Sequence, residues 1–222
     1  MRAIIRFGKN PRLRFISHLD LQRFFQRALN RTGLPIAWSQ GFNPHPGLSF
    51  GSALAVGWTS EYEVIDVKLV APMGRGRTEE LMRAALPEDL PVLEVRMTDD
   101  RHPAPMAMVR ASEYRIDVPV DAVKPIHEAM RRFEASDCVM AVRKTKSGEK
   151  EINIRPLALS MEPADTGLTA RLSLTEKDTL KPDLLLATLA QMAGIEMPEA
   201  RIHRTLLLGL DEQGALRPLM EL

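Results

Sequence analysis

Cysteine is nearly absent: Cys138 is the only one in 222 residues. That excludes an internal disulfide, and it equally excludes a thiolate-rich metal site or an iron–sulfur cluster built from this chain alone. No apolar run approaches the length needed to cross a bilayer, and the opening MRAIIRFGKN lacks the layout of a signal peptide. A cytoplasmic protein is expected. The GRGR at 74–77 has neither Walker spacing nor the dinucleotide fingerprint, and no Gly-x-Ser-x-Gly elbow occurs. Of the five histidines none forms an HxxxH or HxH pair, and no carboxylates stand at ligand spacing beside them, so a metal site has weak support. Aromatic residues make up only 5%, so those that occur outside apolar segments stand out.

Against these absences, hydrophobic residues amount to 45% and charged residues to 27%, the balance of a soluble globular protein. The length suffices for one large domain or two compact ones. Net charge is only +1, but it is unevenly spread. Residues 1–60 hold eight basic side chains (Arg2, Arg6, Lys9, Arg12, Arg14, Arg23, Arg27 and Arg31) against the single acid Asp20. Such asymmetry suggests an anionic partner for the N-terminal part: nucleic acid, phosphate or an acidic protein.

RAIIRF (2–7) alternates and reads as a strand. Ser17 begins a helix with Asp20 as its capping partner, and Gly33 followed by Pro35 ends it. Leu21, Phe24, Phe25, Ala28 and Leu29 form its apolar stripe, while Arg23, Arg27 and Arg31 recur every four residues opposite. LSFGSALAVG and EYEVIDVKLV read as strands, TEELMRAAL (78–86) as a helix and PVLEVRMTD (91–99) as a strand. This is the order of a split βαβ, or ferredoxin-like, unit over residues 1–100. Residues 101–112 make a linker with two prolines. Residues 113–222 repeat the cycle with one extra strand: YRIDVPV, a helix from about Asp121 to Ala135 with Pro125 near its first turn, CVMAVRKT and EINIRPLALSME joined by a turn at 146–149, LTARLSLT, the helix KPDLLLATLAQMAG, and ARIHRTLLLG. The predicted fold is α+β, two ferredoxin-like modules with antiparallel sheets.

The stretch SQGFNPHPGLSF (39–50) carries the most unusual chemistry. Pro44 and Pro46 hold Asn43 and His45 extended in a segment too polar for a core. His18 lies in the first helical turn, where the helix N-terminus favours anions and a neutral imidazole. Arg12, Arg14, His18, Gln40, Asn43 and His45 are expected to line one pocket. There His18 and His45 are candidates for acid and base in ribonuclease chemistry. His127 and His203 read as structural. Phe42, Phe50, Trp38 and Trp58 supply flat surfaces beside cations, the means by which such sheets often read single-stranded RNA, with core packing the alternative for Trp38 and Phe50. The basic hairpin RKTKSGEKEINIRP sets Arg143, Lys144, Lys146, Lys150 and Arg155 against Glu149 and Glu151; such a hairpin is usually a solvated turn and occasionally a phosphate-backbone contact, and Arg155 joins the candidate set on the second reading. Ser17, Arg23, Arg27 and Arg31 complete the candidate RNA-binding set.

Taken together, SHLD at 17–20, Arg27, Gly33, Ser39, GFNPHP at 41–46 and Gly57 resemble the radical-SAM-linked protein family, a domain of unknown function fused to or encoded beside cobalamin-binding radical SAM proteins. The likeness continues through KSGEKEINIRPL (146–157) and IHRTLLLG (202–209), with Asn153 where an aspartate is expected. The resemblance implies a radical SAM partner that itself holds the iron–sulfur cluster, SAM and cobalamin. The paired split-βαβ pattern also looks like the CRISPR repeat-processing endoribonucleases, at the level of fold alone. Three functions are consistent with these residues: a non-catalytic accessory that binds RNA for that partner, an RNA-processing enzyme using His18 and His45, and a protein–protein adaptor without RNA.

Overall fold

The computed structural model describes residues 1–145 and 148–222. The chain forms two compact units, Met1–Val109 with Leu206–Leu222, and Arg110–Thr205. The first unit begins with β1 (Arg2–Lys9), α1 (His18–Thr32), β2 (Leu48–Phe50), β3 (Thr59–Lys68), α2 (Arg75–Ala85) and β4 (Val92–Thr98). Strand β1 lies between β3 and β4 and is antiparallel to both, and β2 pairs antiparallel with β3. Register follows from apolar alternation. Ala3 faces Val67 and Ile5 faces Ile65, and these residues form one buried cluster with Leu21, Phe25 and Leu29 of α1 and Met82 of α2. A one-residue slip would turn this whole set to the other face. The rings of Phe7, Phe25 and Phe50 meet at 4.7, 5.6 and 6.3 Å, and such contacts add about 0.5–1.5 kcal/mol each beyond area burial.

Helix α1 has the ends its sequence predicts. Ser17 is extended and its Oγ accepts the Asp20 N–H at 3.2 Å, while Gly33 closes the helix in the left-handed region at φ 70°. Elsewhere the boundaries move. Only Leu48–Phe50 of LSFGSALAVG is a strand, and the predicted linker instead contains α3 (Pro105–Met108) before β5 (Val109–Asp117) begins.

The second unit continues with α4 (Val120–Glu134), β6 (Met140–Thr145), β7 (Gly148–Asn153), β8 (Ala158–Ala164), β9 (Gly167–Ser173), α5 (Pro182–Ala193) and β10 (Arg201–Leu210). Its strand order is β8-β9-β5-β10, and β6 and β7 form a separate two-stranded sheet. The predicted single strand EINIRPLALSME is thus two strands. A 3-10 turn at Arg155–Leu157 separates them, because Pro156 cannot donate to a ladder. Lys146 and Ser147 of the predicted turn lie outside the described residues. Pro125 sits inside α4, beyond its first turn, because the helix already starts at Val120. Strand β10 starts in the second unit and ends in the first, where β11 (Leu216–Pro218) pairs with it. The C-terminal segment therefore belongs with the N-terminal unit, whereas the sequence reading placed it in the second module. There the Tyr62 hydroxyl accepts the Met220 N–H at 3.1 Å, and Arg96 donates to the Met220 and Leu222 carbonyls at 3.3 and 3.0 Å. Among the described residues no helix is long and apolar enough to cross a membrane.

Candidate functional site

The GFNPHP loop is fixed at its base and exposed at its tip. Trp38 pairs with Pro46 as an isolated bridge, and the Ser39 N–H donates to the His45 carbonyl at 2.9 Å. The His45 N–H donates to Ser39 Oγ at 3.0 Å, and His45 Nδ1 lies 3.0 Å from the same Oγ and 3.3 Å from the Asn43 carbonyl. Gly47 packs so tightly that a Cβ there would meet the Ala37 carbonyl and Lys68 Cβ at 3.1 Å. Gly41 makes the turn at φ +130°. Phe42 at the tip is fully exposed, and Gln40, Asn43 and His45 are exposed beside it.

Beneath the loop opens a cleft of about 740 Å³, whose lining includes Trp38, Ser39, His45, Ser49, Asp66 and Lys68. Trp38 is 46% exposed, so a face of its indole is available. Arg2 and Asp66 contribute a neutral pair rather than free charges. Their side chains are 6% and 3% exposed, Arg2 Nε lies 3.0 and 3.1 Å from the two carboxylate oxygens, and Arg2 also donates to the His102 and Pro103 carbonyls. The hydrogen bond to Asp66 raises the Arg2 pKa above its ordinary value. Lys68 is exposed and supplies a cation to the wall.

The other predicted site residues do not converge here. The Arg14 carbonyl accepts the Gly57 N–H at 2.7 Å and Lys9 Nζ at 3.2 Å, and Lys9 pairs with Ser60 at the start of β3. The His45 cleft uses Lys68, at the far end of the same strand. Eight residues at about 3.3 Å each place the two regions about 26 Å apart along β3. His18 packs edge-on against Phe50 at 5.0 Å, on the helix side of the sheet, whereas Ser49 and Asp66 alternate to the opposite side. The single pocket expected for Arg12, Arg14, His18, Gln40, Asn43 and His45 is therefore two regions, and His18 and His45 do not form a facing acid–base pair.

The basic residues divide similarly. Arg14 donates to the Pro11 carbonyl at 3.0 Å and lies 4.3 Å over the ring of Phe15, which is 67% exposed, making a surface cation–aromatic stack. Arg12 pairs with Asp89 at 3.5 Å, Arg23 with Asp20 at 3.4 Å, and Arg31 donates to the Ala85 carbonyl at 3.4 Å; all remain exposed, as does Arg27. Arg155 lies in the second unit, outside the cleft's lining. Half-buried, it donates to the Glu134 and Ala158 carbonyls at 3.4 Å and lies 5.7 Å over Phe133, so it closes the end of α4. Asn153 Oδ1 accepts the Val139 and Arg155 N–H groups at 3.0 and 3.1 Å. That role requires an acceptor oxygen, which asparagine supplies as well as aspartate.

Among the buried charged residues not singled out from the sequence are Lys9 and Glu63, which are 1% and 2% exposed. Lys9 Nζ donates to the carbonyls of Arg14 and Ile16 at 3.2 and 2.9 Å, which ties down the segment that carries the Arg14–Phe15 stack. Burial lowers the Lys9 pKa, and the nearby Glu63 opposes that shift. The signal was present in the alternation: Lys9 follows Ala3, Ile5 and Phe7, and Glu63 precedes Ile65 and Val67, each on the inward parity of its strand.

No curated protein matches the chain. Among solved structures, a chain from "Crystal Structure of a Cbf5-Nop10-Gar1 Complex" is similar at 12% identity and a TM-score of 0.44, with 92% of this chain and 48% of that chain covered. The present chain thus spans about half the length of that neighbour. The model of the family described as "Uncharacterized protein conserved in bacteria (DUF2344)" matches residues 2–182, a span that includes both the His45 cleft and the Arg14–Phe15 surface, and the chain belongs to that family.

Proposed function

We propose that the chain is a cytoplasmic, non-catalytic accessory protein that binds single-stranded RNA and presents it to a radical SAM partner. The observation that carries this reading is the cleft under the GFNPHP loop. A half-exposed indole, an oriented imidazole and a lysine line one concavity, which are the stacking, hydrogen-bonding and phosphate-pairing groups that a nucleotide requires. Because the loop is already held by Ser39 and His45, little ordering entropy is lost on docking. The exposed Arg12, Arg14, Arg23, Arg27 and Arg31 offer a separate basic surface, apart from the cleft, for phosphates further along a strand. We read the two units as a pair of split βαβ modules. The partner follows from the resemblance to the radical-SAM-linked family; the iron–sulfur cluster, SAM and cobalamin belong to that partner.

The test is fluorescence anisotropy of a labelled single-stranded RNA. If about four phosphates are neutralised, raising salt from 50 to 200 mM weakens binding about 50-fold. Trp38→Ala weakens it about 5- to 150-fold, the range for loss of one stacked base. Arg14→Ala/Arg27→Ala lowers affinity and reduces the salt slope, whereas Arg155→Met leaves both unchanged. Absence of binding at low salt would sink the RNA reading and favour an adaptor role. Co-purification with a radical SAM protein tests the partner separately.

A further inference from the structure

The orientation of His45 bears on which base the cleft accepts. His45 Nδ1 faces the Asn43 carbonyl at 3.3 Å, and a carbonyl oxygen can only accept. Ser39 Oγ, 3.0 Å from Nδ1, already accepts the His45 backbone N–H at 3.0 Å. Both neighbours are satisfied together when Nδ1 carries the proton. The other ring nitrogen, Nε2, then holds a lone pair on the edge that is not tied back to the loop. Ser49 and the exposed Asp100 add acceptor oxygens to the same cleft.

We infer that the cleft selects a base bearing an exocyclic amino group, read by the His45 Nε2 lone pair while the ring lies on Trp38. This deepens the single-stranded RNA reading and rests on it. Cytosine presents an amino group where uracil presents a carbonyl, and adenine does so where hypoxanthine presents a carbonyl. In each disfavoured partner, held in the same pose, a carbonyl lone pair would meet the Nε2 lone pair, and that hydrogen bond is lost unless the base shifts to bring its neighbouring ring N–H to Nε2. Ring size and charge are unchanged within each pair, so the comparison tests the amino group together with the neighbouring ring nitrogen, N3 of the pyrimidine or N1 of the purine.

The experiment is anisotropy with labelled 12-residue oligo(C), oligo(U), oligo(A) and oligo(inosine), on the wild-type chain, His45→Phe and Trp38→Ala. The expected result is about 10-fold tighter binding of oligo(C) than oligo(U) and of oligo(A) than oligo(inosine), roughly one hydrogen bond's discrimination. Both preferences vanish in His45→Phe, which retains a flat ring without the acceptor, while the remaining binding stays sensitive to Trp38→Ala. Equal affinities within each pair, with binding still dependent on Trp38, would overturn the inference and leave the RNA reading standing. A preference that survives in His45→Phe would also overturn it. Failure of every oligonucleotide to bind would overturn both.

Discussion

Replacing Asp66 with asparagine isolates the buried ion pair under the cleft. The two side chains are 6% and 3% exposed, so Asp66→Asn leaves the Arg2 guanidinium charged in a place that water scarcely reaches. Removing one partner of a buried pair costs about 3–5 kcal/mol. Asparagine keeps one acceptor oxygen in place, which favours the lower end, about 3 kcal/mol. In a chain of this size that corresponds to a fall of about 6–12 °C in Tm. The double variant Arg2→Met/Asp66→Leu provides the contrast, since it removes both charges and fills the space with apolar atoms. The carbonyls that Arg2 also serves belong to His102 and Pro103, which are not buried, so water replaces it there. The double variant is therefore expected to lose less stability than Asp66→Asn alone. Thermal and urea unfolding by circular dichroism measure both. A Tm change under about 2 °C for Asp66→Asn, or a double variant weaker than the single, would refute the reasoning.

Lys9→Met tests the buried ammonium through its pH dependence. Burial lowers the Lys9 pKa below 10.5 in the folded chain, so between the lowered value and 10.5 the unfolded chain holds a proton that the folded chain has released. Wild-type stability, measured against Lys9→Met by urea midpoints, should therefore rise with pH through that window; a gap that is flat or falls would contradict burial as the cause. At Gly167, φ is +152° and a Cβ would come within 2.1 Å of the Ile116 carbonyl oxygen, so Gly167→Ala should cost about 3 kcal/mol or more in unfolding free energy. Gly33→Ala meets nothing within 4 Å and should cost only about 1–2 kcal/mol for its left-handed backbone; equal losses at the two positions would be the wrong result.

What was legible in the sequence was local. Ser17 and Gly33 marked the ends of α1 because capping depends on residues within a turn of each other. Pro44 and Pro46 marked a fixed loop because proline acts on its own φ and its predecessor's conformation. The misplaced features depended on distance along elements or on return of the chain. Arg14 and His45 were grouped because both flank short connections, yet β3 runs between the regions they serve. Arg155 looked like a phosphate contact because a basic residue in a hairpin reads as solvated. Its guanidinium instead lies over Phe133 and its donors close α4, a contact across 21 residues that no periodicity announces.

Lys9 and Glu63 show where pattern reading had more to offer. A strand that keeps its apolar parity for three positions and then places a charge on the same parity creates a local conflict, and such conflicts concentrate where structure serves something besides packing. Two strands that do so at one end of the same core, with opposite charges, make a mutually compensating pair the economical interpretation. The Lys9 ammonium also bonds the Arg14 and Ile16 carbonyls ahead of the Ser17 cap, so the inward charge at the end of β1 ties down the segment that leads into α1. The exposed Arg14–Phe15 stack is built on that anchor. Its position on the surface thus depends on a residue that never reaches the surface, and a sequence search confined to exposed polar residues would pass over the group that holds the site in place.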